Sequence, residues 1–424
     1  MTKQLNILVS GAGIGGPVLA YWLNKAGHKV TIVERDAQLR TTGQSVDIRE
    51  AAVEVIRKMG LEQTIRDTST HEAGVAFVDP NDKVRALFKA TGSTEVQSFT
   101  SEFEVFRGDL AKIFYSTTKD LCTYIFGEYI TSIDQDNDGC YVEFANGSDA
   151  ARYDLVIAAD GLGSKVRAMV FNTSTREHIW SLDTFAAYFT IDKDLLKGDQ
   201  YSRWYNAPGG RCILLRPDPQ RRTRAHLFVI NHGDQAQLDT YRAAYQQGMD
   251  RVKQLFTEEF KDAGWLTPEI LACAPDAKDF YGSEIAQIRT EKLFSGRVAL
   301  VGDAGYCPTP FTGMGTSLAM IGAYILAGEI NKDAEDVPGA LQRYEDIMHP
   351  YAKKVQQIPR SMPKLANPMS AWGIKVQLAI LSLVSWLKVD VFANWLQGFE
   401  VFKGKKFQLP EYTWSDQRDS VLVG

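Results

Sequence analysis

Six residues, Gly11-Ala12-Gly13-Ile14-Gly15-Gly16, constrain the fold of this chain more than any others. They follow a short β-rich run, residues 6–10. They precede an apolar stretch at helical spacing, residues 17–25, and residues 29–34 then return to strand character. The segment predicts one βαβ unit closed by a glycine-rich turn. In such a GxGxxG turn the first glycine bends the chain and the second admits a pyrophosphate close to the main chain. The third lets the helix pack on the strand, and the helix N-terminus faces the phosphates. Glu34 stands 18 residues beyond Gly16, at the end of the second strand, where a carboxylate accepts both hydroxyls of a ribose. Gly11, Gly13, Gly16 and Glu34, with Arg35 next to it, are candidate dinucleotide-binding residues.

A chain of 424 residues exceeds what one hydrophobic core organises, so two lobes sharing an interface are expected. Hydrophobic residues make up 45% and charged residues 23%, which suits a packed globular protein. The net charge of -5, with no basic stripe, argues against a nucleic-acid partner. Five scattered cysteines without a CxxC pair predict reduced thiols. Six histidines, none paired at ligand spacing, predict no metal, and no Ser-His-Asp or Cys-His set is evident. Only Met1 to Gln4 precede the first strand, so no secretory signal is expected. The longest charge-free apolar stretch near the C-terminus, residues 376–387, falls short of the roughly 20 residues a transmembrane helix needs. A cytoplasmic protein, monomeric or weakly dimeric, is the expectation.

Two later segments narrow the ligand. One is Ile157-Ala158-Ala159-Asp160-Gly161-Leu162-Gly163-Ser164-Lys165-Val166-Arg167, and the other is Gly302-Asp303-Ala304-Gly305-Tyr306-Cys307-Pro308. With the N-terminal GxGxxG, the chain resembles the group A flavoprotein monooxygenases, whose fingerprints are that turn, a DGxxSxxR motif and a GD motif followed by proline. All three stand in the family's order over residues 5–330. The resemblance implies an α/β fold: a Rossmann-like FAD-binding domain with a parallel sheet, then an α+β substrate domain with an antiparallel sheet and a C-terminal helix. It implies FAD, NADPH or NADH, O2 and a small apolar or aromatic substrate. Oxygen would reach a phenolic, enolic or polycyclic compound through a C4a-hydroperoxide of the flavin. The flavin carries the redox chemistry and the protein supplies position and electrostatics.

The resemblance also implies roles. Asp303 accepts from a ribityl hydroxyl. The turn from Pro308 through Gly313 to Gly315 opens a helix whose free amides face the pyrimidine edge of the flavin, where reduced flavin carries negative charge. Arg107, preceding a helix, reaches the FAD by a bidentate grip that a lysine lacks. Asp160 and Arg167 either touch the cofactors or brace the fold. The stretch Arg40-Thr41-Thr42-Gly43-Gln44-Ser45-Val46-Asp47-Ile48-Arg49, and Tyr306 where the wider family commonly has His, look like the tetracycline-inactivating branch and its relatives. On that likeness Asp47 contacts FAD and Arg40 contacts NADPH. A halogenase or reductase shares the cofactor domain, but the only Gly-Trp, Gly264-Trp265, continues as Leu266-Thr267-Pro268 rather than as a halogenase GWxWxIP run. A non-enzymatic carrier of an apolar ligand would have no use for a flavin-facing helix.

The expected divisions are residues 1–180 with 290–365 for FAD, 181–289 for the substrate, and 366–424 as a helical bridge with an amphipathic helix over 370–402. Alternating runs within 184–230 predict an antiparallel sheet with one face roofing the flavin. In one strand Arg203 and Tyr205 share a face and Trp204 takes the other, while Arg211 and Arg216 flank the next. Arg203, Tyr205 and Arg211, with Phe311 from the turn after Pro308, are the candidate substrate residues.

Overall fold

The computed structural model describes residues 3–90, 103–359, 362–387 and 407–414. A six-stranded sheet runs in the order Phe294–Ser295, Val298–Leu300, Leu155–Ala158, Asn6–Ser10, Lys29–Glu34, Thr123–Phe126. All neighbours are parallel except the outermost two-residue strand. The strands are short apolar runs because both faces are covered. Ile7, Val9 and Ile157 pack under the helices Gly15–Lys25 and Gly315–Lys332, which meet at the edge-to-face pair of Trp22 and Tyr324, 4.9 Å apart. Leu8, Val156 and Leu300 pack on the other side against the antiparallel strands Ile130–Gln135, Cys140–Phe144 and Ala151–Tyr153.

A seven-stranded sheet stands beside it, ordered Tyr281–Ile288, Ile179–Ile191, Thr223–Ile230, Arg211–Pro217, Tyr201–Ala207, Gly74–Val78, Val84–Lys89. Its pairs are antiparallel except Tyr201–Ala207 with Gly74–Val78. One face carries Phe185, Ile213, Leu215, Leu227 and Val229 against the helices Gln235–Gln247, Met249–Phe260 and Thr267–Cys273. The opposite face carries Ala186, Tyr188, Phe228 and Ile285 and meets Phe311 and Ile358 of the cofactor half. The alternation read over 184–230 is therefore present. Two strands, Gly74–Val78 and Val84–Lys89, reach this sheet from the segment expected to serve FAD alone. The apolar residues Val75, Phe77 and Ala86 announce strands, but a strand's pattern does not name a partner more than a hundred residues away.

The helix Ala371–Trp386 docks on the edge of this second face. Leu378 and Leu381 pack on Phe77, Phe88 and Trp204, and the Ser385 hydroxyl exchanges hydrogen bonds with the main chain of Leu87. Its outer face is apolar as well, with Trp372, Ile380, Leu383 and Trp386 exposed, so the described part lacks the expected polar side. Residues 388–402 of that expected helix lie outside the described residues. Farther on, Tyr412 donates to Glu329 at 2.8 Å, and Trp414 lies 4.6 Å from Trp22 in the cofactor core. Among the described residues no helix is long and apolar enough to cross a membrane.

Arg167 ties two turns at the edge of the parallel sheet. Its fully buried guanidinium donates to the carbonyls of Ala304 at 2.8 Å and of Leu162 and Thr175 at 2.9 Å each. It therefore braces the fold, one of the two roles left open by sequence. Arg167→Met keeps the volume but strands the buried Ala304 carbonyl and frees two part-buried ones, so a loss of about 1–3 kcal/mol is expected. Thermal denaturation of flavin-free protein reads it, and an unchanged midpoint would remove the bracing role.

Candidate active site

The carboxyl ends of the parallel strands form one edge, and the turns that leave them converge there, as in open α/β sheets generally. Gly11, at φ +112°, lies where a Cβ would sit 2.5 Å from the Ala159 carbonyl oxygen, and a Cβ on Gly16 would fall 2.1 Å from the Gly11 oxygen. Both positions demand glycine. A Cβ on Gly13 would meet only the Arg107 guanidinium, at 3.3 Å, so this part of the turn is open toward Arg107. Glu34 holds the turn by accepting from the Ala12 amide at 2.8 Å and from the Asp36 amide at 3.1 Å. Arg35 is exposed while Glu34 is half-buried.

Arg107 opens the helix Arg107–Thr118 and lies along Gly43, whose Cβ position is 3.3 Å from its Cδ. Its guanidinium has neither ion pair nor hydrogen bond among the described residues. Burial lowers its pKa, and the neighbouring Arg40 adds to this, opposed by Tyr281, Asp303 and Glu34. Arg40 in turn rests 4.5 Å from the Tyr281 ring centre, a cation–π contact reaching across to the second sheet. Asp303 starts the short helix Asp303–Tyr306, and burial raises its carboxyl pKa against the Cys307 thiol and the Arg107 charge. It lies with Pro308 at 3.9 Å from the Cβ position of Gly315, the first residue of the Gly315–Lys332 helix. Asp47 reaches the same helix end: its Oδ2 is 3.3 Å from the Cβ position of Gly313 and pairs with Arg49 at 2.9 Å. The Oδ1 atoms of Asp47 and Asp160 are buried without a partner. Burial also raises the Asp160 pKa, offset by hydrogen bonds from Ser164 and the main chain. Tyr306 is buried with its hydroxyl 3.1 Å from that of Tyr344, part of the packing beneath the turn.

The second sheet corrects the substrate residues. Arg203, Tyr205 and Arg211 all lie on its helix-covered face. Arg203 is paired with Asp82 and, at 3.4 Å, with Asp199. The Tyr205 hydroxyl donates to the Ala263 carbonyl at 2.7 Å, and Arg211 donates to Asp262 and to the Glu259 carbonyl at 2.5 Å each. On the opposite phase of the same strands Trp204 and Asn206 meet the C-terminal helix, and Arg216, His226 and Phe228 face the cofactor half. Phe311 packs on the cluster of Leu182, Ala186, Tyr188 and Ile285 on that opposite face, as do Phe228 and Tyr281. The usable signal was composition by face: the helix-covered phase is almost continuously apolar, while the other mixes aromatic, amide, imidazole and guanidinium groups. On that face Arg216 is buried between two carboxylates, Glu72 at 2.8 Å and Glu104. Burial raises the Glu104 pKa, and the Arg216 charge opposes it. The pair raises the Arg216 pKa despite its burial.

Residues 4–358 match the family model described as FAD binding domain. The chain belongs to this family and is an FAD-dependent monooxygenase of group A. It is 34% identical to the FAD-dependent monooxygenase asL4 of Sarocladium schorii, over 96% of this chain and 98% of that one. It is 35% identical to the monooxygenase CTB7 of Cercospora beticola, over 97% and 98%. Among solved structures, that of tetracycline destructase Tet(51) is similar at 28% identity, with a TM-score of 0.76, covering 97% of this chain and all of that one.

The cradle of the monooxygenase fits FAD on its own geometry. A buried guanidinium without a counter-ion beside an open glycine turn suits a pyrophosphate. Unpartnered carboxylate oxygens near the helix end suit hydroxyl or amide donors. Arg203 and Arg211 point away from this region. Arg203→Ala and Arg211→Ala should leave the Michaelis constant for any confirmed substrate within about twofold while lowering the melting temperature. A tenfold rise in either Michaelis constant would show that the helix-covered face reaches the pocket.

Proposed function

We propose that this monooxygenase uses NADPH or NADH to insert one atom of O2 into a phenolic, enolic or polycyclic small molecule bound between the two sheets. The observation that carries this reading is the wall of Tyr188, Phe228, Tyr281 and Phe311 opposite the flavin-facing helix end. Phe228, Tyr281 and Phe311 are only half-buried, so the wall stays open to a flat apolar ligand. The likeness to a tetracycline destructase supports including tetracycline-like polycycles among the candidates.

In this reading Arg107 and the Gly11–Gly16 turn hold the pyrophosphate of FAD, Glu34 the ribose and Asp303 a ribityl hydroxyl. Asp47, Asp160 and the amides of Gly313 and Gly315 serve the ring system, and Pro308 shapes their turn. Bound FAD supplies electron transfer from the nicotinamide and activation of O2. The protein excludes water with its aromatic wall, orients the substrate and favours negative charge at the helix N-terminus. Arg40, spread over Tyr281 at the junction of the lobes, serves the phosphates of NADPH, with Arg35 on the adjacent surface.

Two measurements test this. Incubation with NADPH or NADH under labelled O2, against phenols, naphthols, tetracyclines and other polyketides, should give a product heavier by one labelled oxygen; nucleotide oxidation without labelled product across the panel would refute the substrate class. Asp303→Ala and Arg107→Met should each weaken FAD binding by about ten- to a hundredfold, the equivalent of about 1.5–3 kcal/mol for a hydrogen bond to a charged group. Flavin fluorescence titration of apoprotein reads it, and full occupancy in either variant would move the cofactor site elsewhere.

A further inference from the structure

His226 lies in the middle of the aromatic wall and has no assigned task. It sits on the strand Thr223–Ile230, opposite Leu214 on one neighbouring strand and Tyr188 on the other. Its flanking residues Ala225 and Leu227 point into the helix-packed core, so the imidazole points to the cofactor side. Only 5% of it is exposed. Its ring stands edge-on to Tyr188 at 5.0 Å and to Phe228 at 6.4 Å. Neither ring nitrogen has a hydrogen-bond partner among the described residues. Neither nitrogen is sealed inside the packing, so the imidazole can meet a hydroxyl of a ligand lying against this wall.

We infer that His226 is the catalytic base that takes the hydroxyl proton of the phenolic or enolic substrate, an assignment resting on the substrate class proposed above. The substrate O–H bond breaks, its electron pair stays on oxygen, and the proton forms an N–H bond on the imidazole; nothing is oxidised or reduced. The resulting phenolate or enolate is the more electron-rich carbon framework, which attack by an electrophilic oxygen requires.

The surroundings support this role. Burial first, then the charges of Arg216 and Arg224, hold the imidazole pKa well below its ordinary 6.5, so a nitrogen lone pair is free at neutral pH. Arg224, on the same strand, is engaged by Asp218 at 2.8 Å, Thr190 at 2.5 Å and Asp279 at 3.4 Å. Arg216, on the adjacent strand, is held by Glu72 and Glu104. Tyr188, facing from the third strand and stacked on Tyr281, stays protonated because burial raises its pKa. With Glu72 and Glu104 engaged by Arg216, the proton acceptor on this wall free of a hydrogen bond among the described residues is His226. Proton uptake beside two guanidinium groups is unfavourable alone and becomes favourable only when the new anion lies against the imidazolium.

The test uses oxidised, FAD-loaded protein without nicotinamide, and a panel of chromogenic phenols from 4-nitrophenol to nitronaphthols, at pH values below their solution pKa. Wild type should show the phenolate band on binding, and His226→Asn should bind without it. In turnover, the variant should lose about a hundredfold or more in kcat for weakly acidic phenols. Its kcat/KM should climb with pH toward the substrate's own pKa, where wild type is already flat, and pre-ionised substrates should recover most of the rate. A phenolate band that persists in the variant, or an equal loss for ionised and unionised substrates, overturns the inference. Binding of no phenol at all instead overturns the substrate class on which it rests. Should His226→Asn lose flavin, His226→Gln carries the comparison; flavin loss in both makes the residue structural and ends the assignment.

Discussion

The approach of Gly11 to the Ala159 carbonyl, too close for any Cβ, is the contact on which the site depends. It sets the end of the first strand against the end of the Leu155–Ala158 strand, so the turns after both open on one edge. Parallel pairing with Lys29–Glu34 and Val298–Leu300 then brings Glu34 and Asp303 to the same edge without further adjustment. Asp160, one residue beyond Ala159, follows directly. Residues about three hundred positions apart thus meet because main chain packs on main chain, and the side chains inherit their places.

Three arginines, Arg167 buried and Arg107 and Arg216 half-buried, divide the work of this edge. Arg167 is satisfied by carbonyls and spends its charge on structure. Arg216 is satisfied by two carboxylates, one of which, Glu104, stands three residues before Arg107 on the strand Glu104–Phe106 that pairs with the strand carrying Asp47. Arg107 alone of the three has neither an ion pair nor a hydrogen bond from its guanidinium among the described residues. An unpaired buried cation is costly, and the cost is removed when a phosphate binds, which couples cofactor binding to stability of the folded state. The other two arginines hold fixed the walls between which Arg107 waits.

The cofactor half was legible because its edge is built largely by main chain packed on main chain. Gly11 and Gly16 sit where no Cβ fits, Glu34 ends a strand and Asp303 starts a short helix, so these places are written as residue identity at fixed spacing. The substrate face was not legible in the same way. Strand alternation divides Arg203, Tyr205 and Arg211 from Trp204, Arg216 and His226 with equal clarity in either orientation, and the choice between faces was made by helices at residues 235–273 whose sequence does not state what they cover. An arginine on such a strand reads as a ligand for an anion until its carboxylate is seen, and Asp82 and Asp262 are distant in sequence. The strands Gly74–Val78 and Val84–Lys89 were missed as members of that sheet for the same reason: pairing is non-local while patterning is local.

The two sheets meet through polar groups as well as apolar ones, and this shapes what the interface can do. Glu104 belongs to the ribbon that positions Arg107 and Asp47, while Arg216 belongs to the sheet that carries His226 two positions along the neighbouring strand from Arg224. The Arg216 fork therefore registers one sheet to the other, and its charge, with that of Arg224, adds to the burial that lowers the His226 pKa. Apolar packing of Phe311 and Ile358 on Tyr188 and Ile285 would leave the two lobes free to slide over a soft surface. A buried, two-carboxylate grip has one geometry, so it adds orientation to a contact whose area already supplies the cohesion. One side chain thus serves the register of the sheets and part of the electrostatics at the wall, and sequence placed it near the end of a strand without revealing either task.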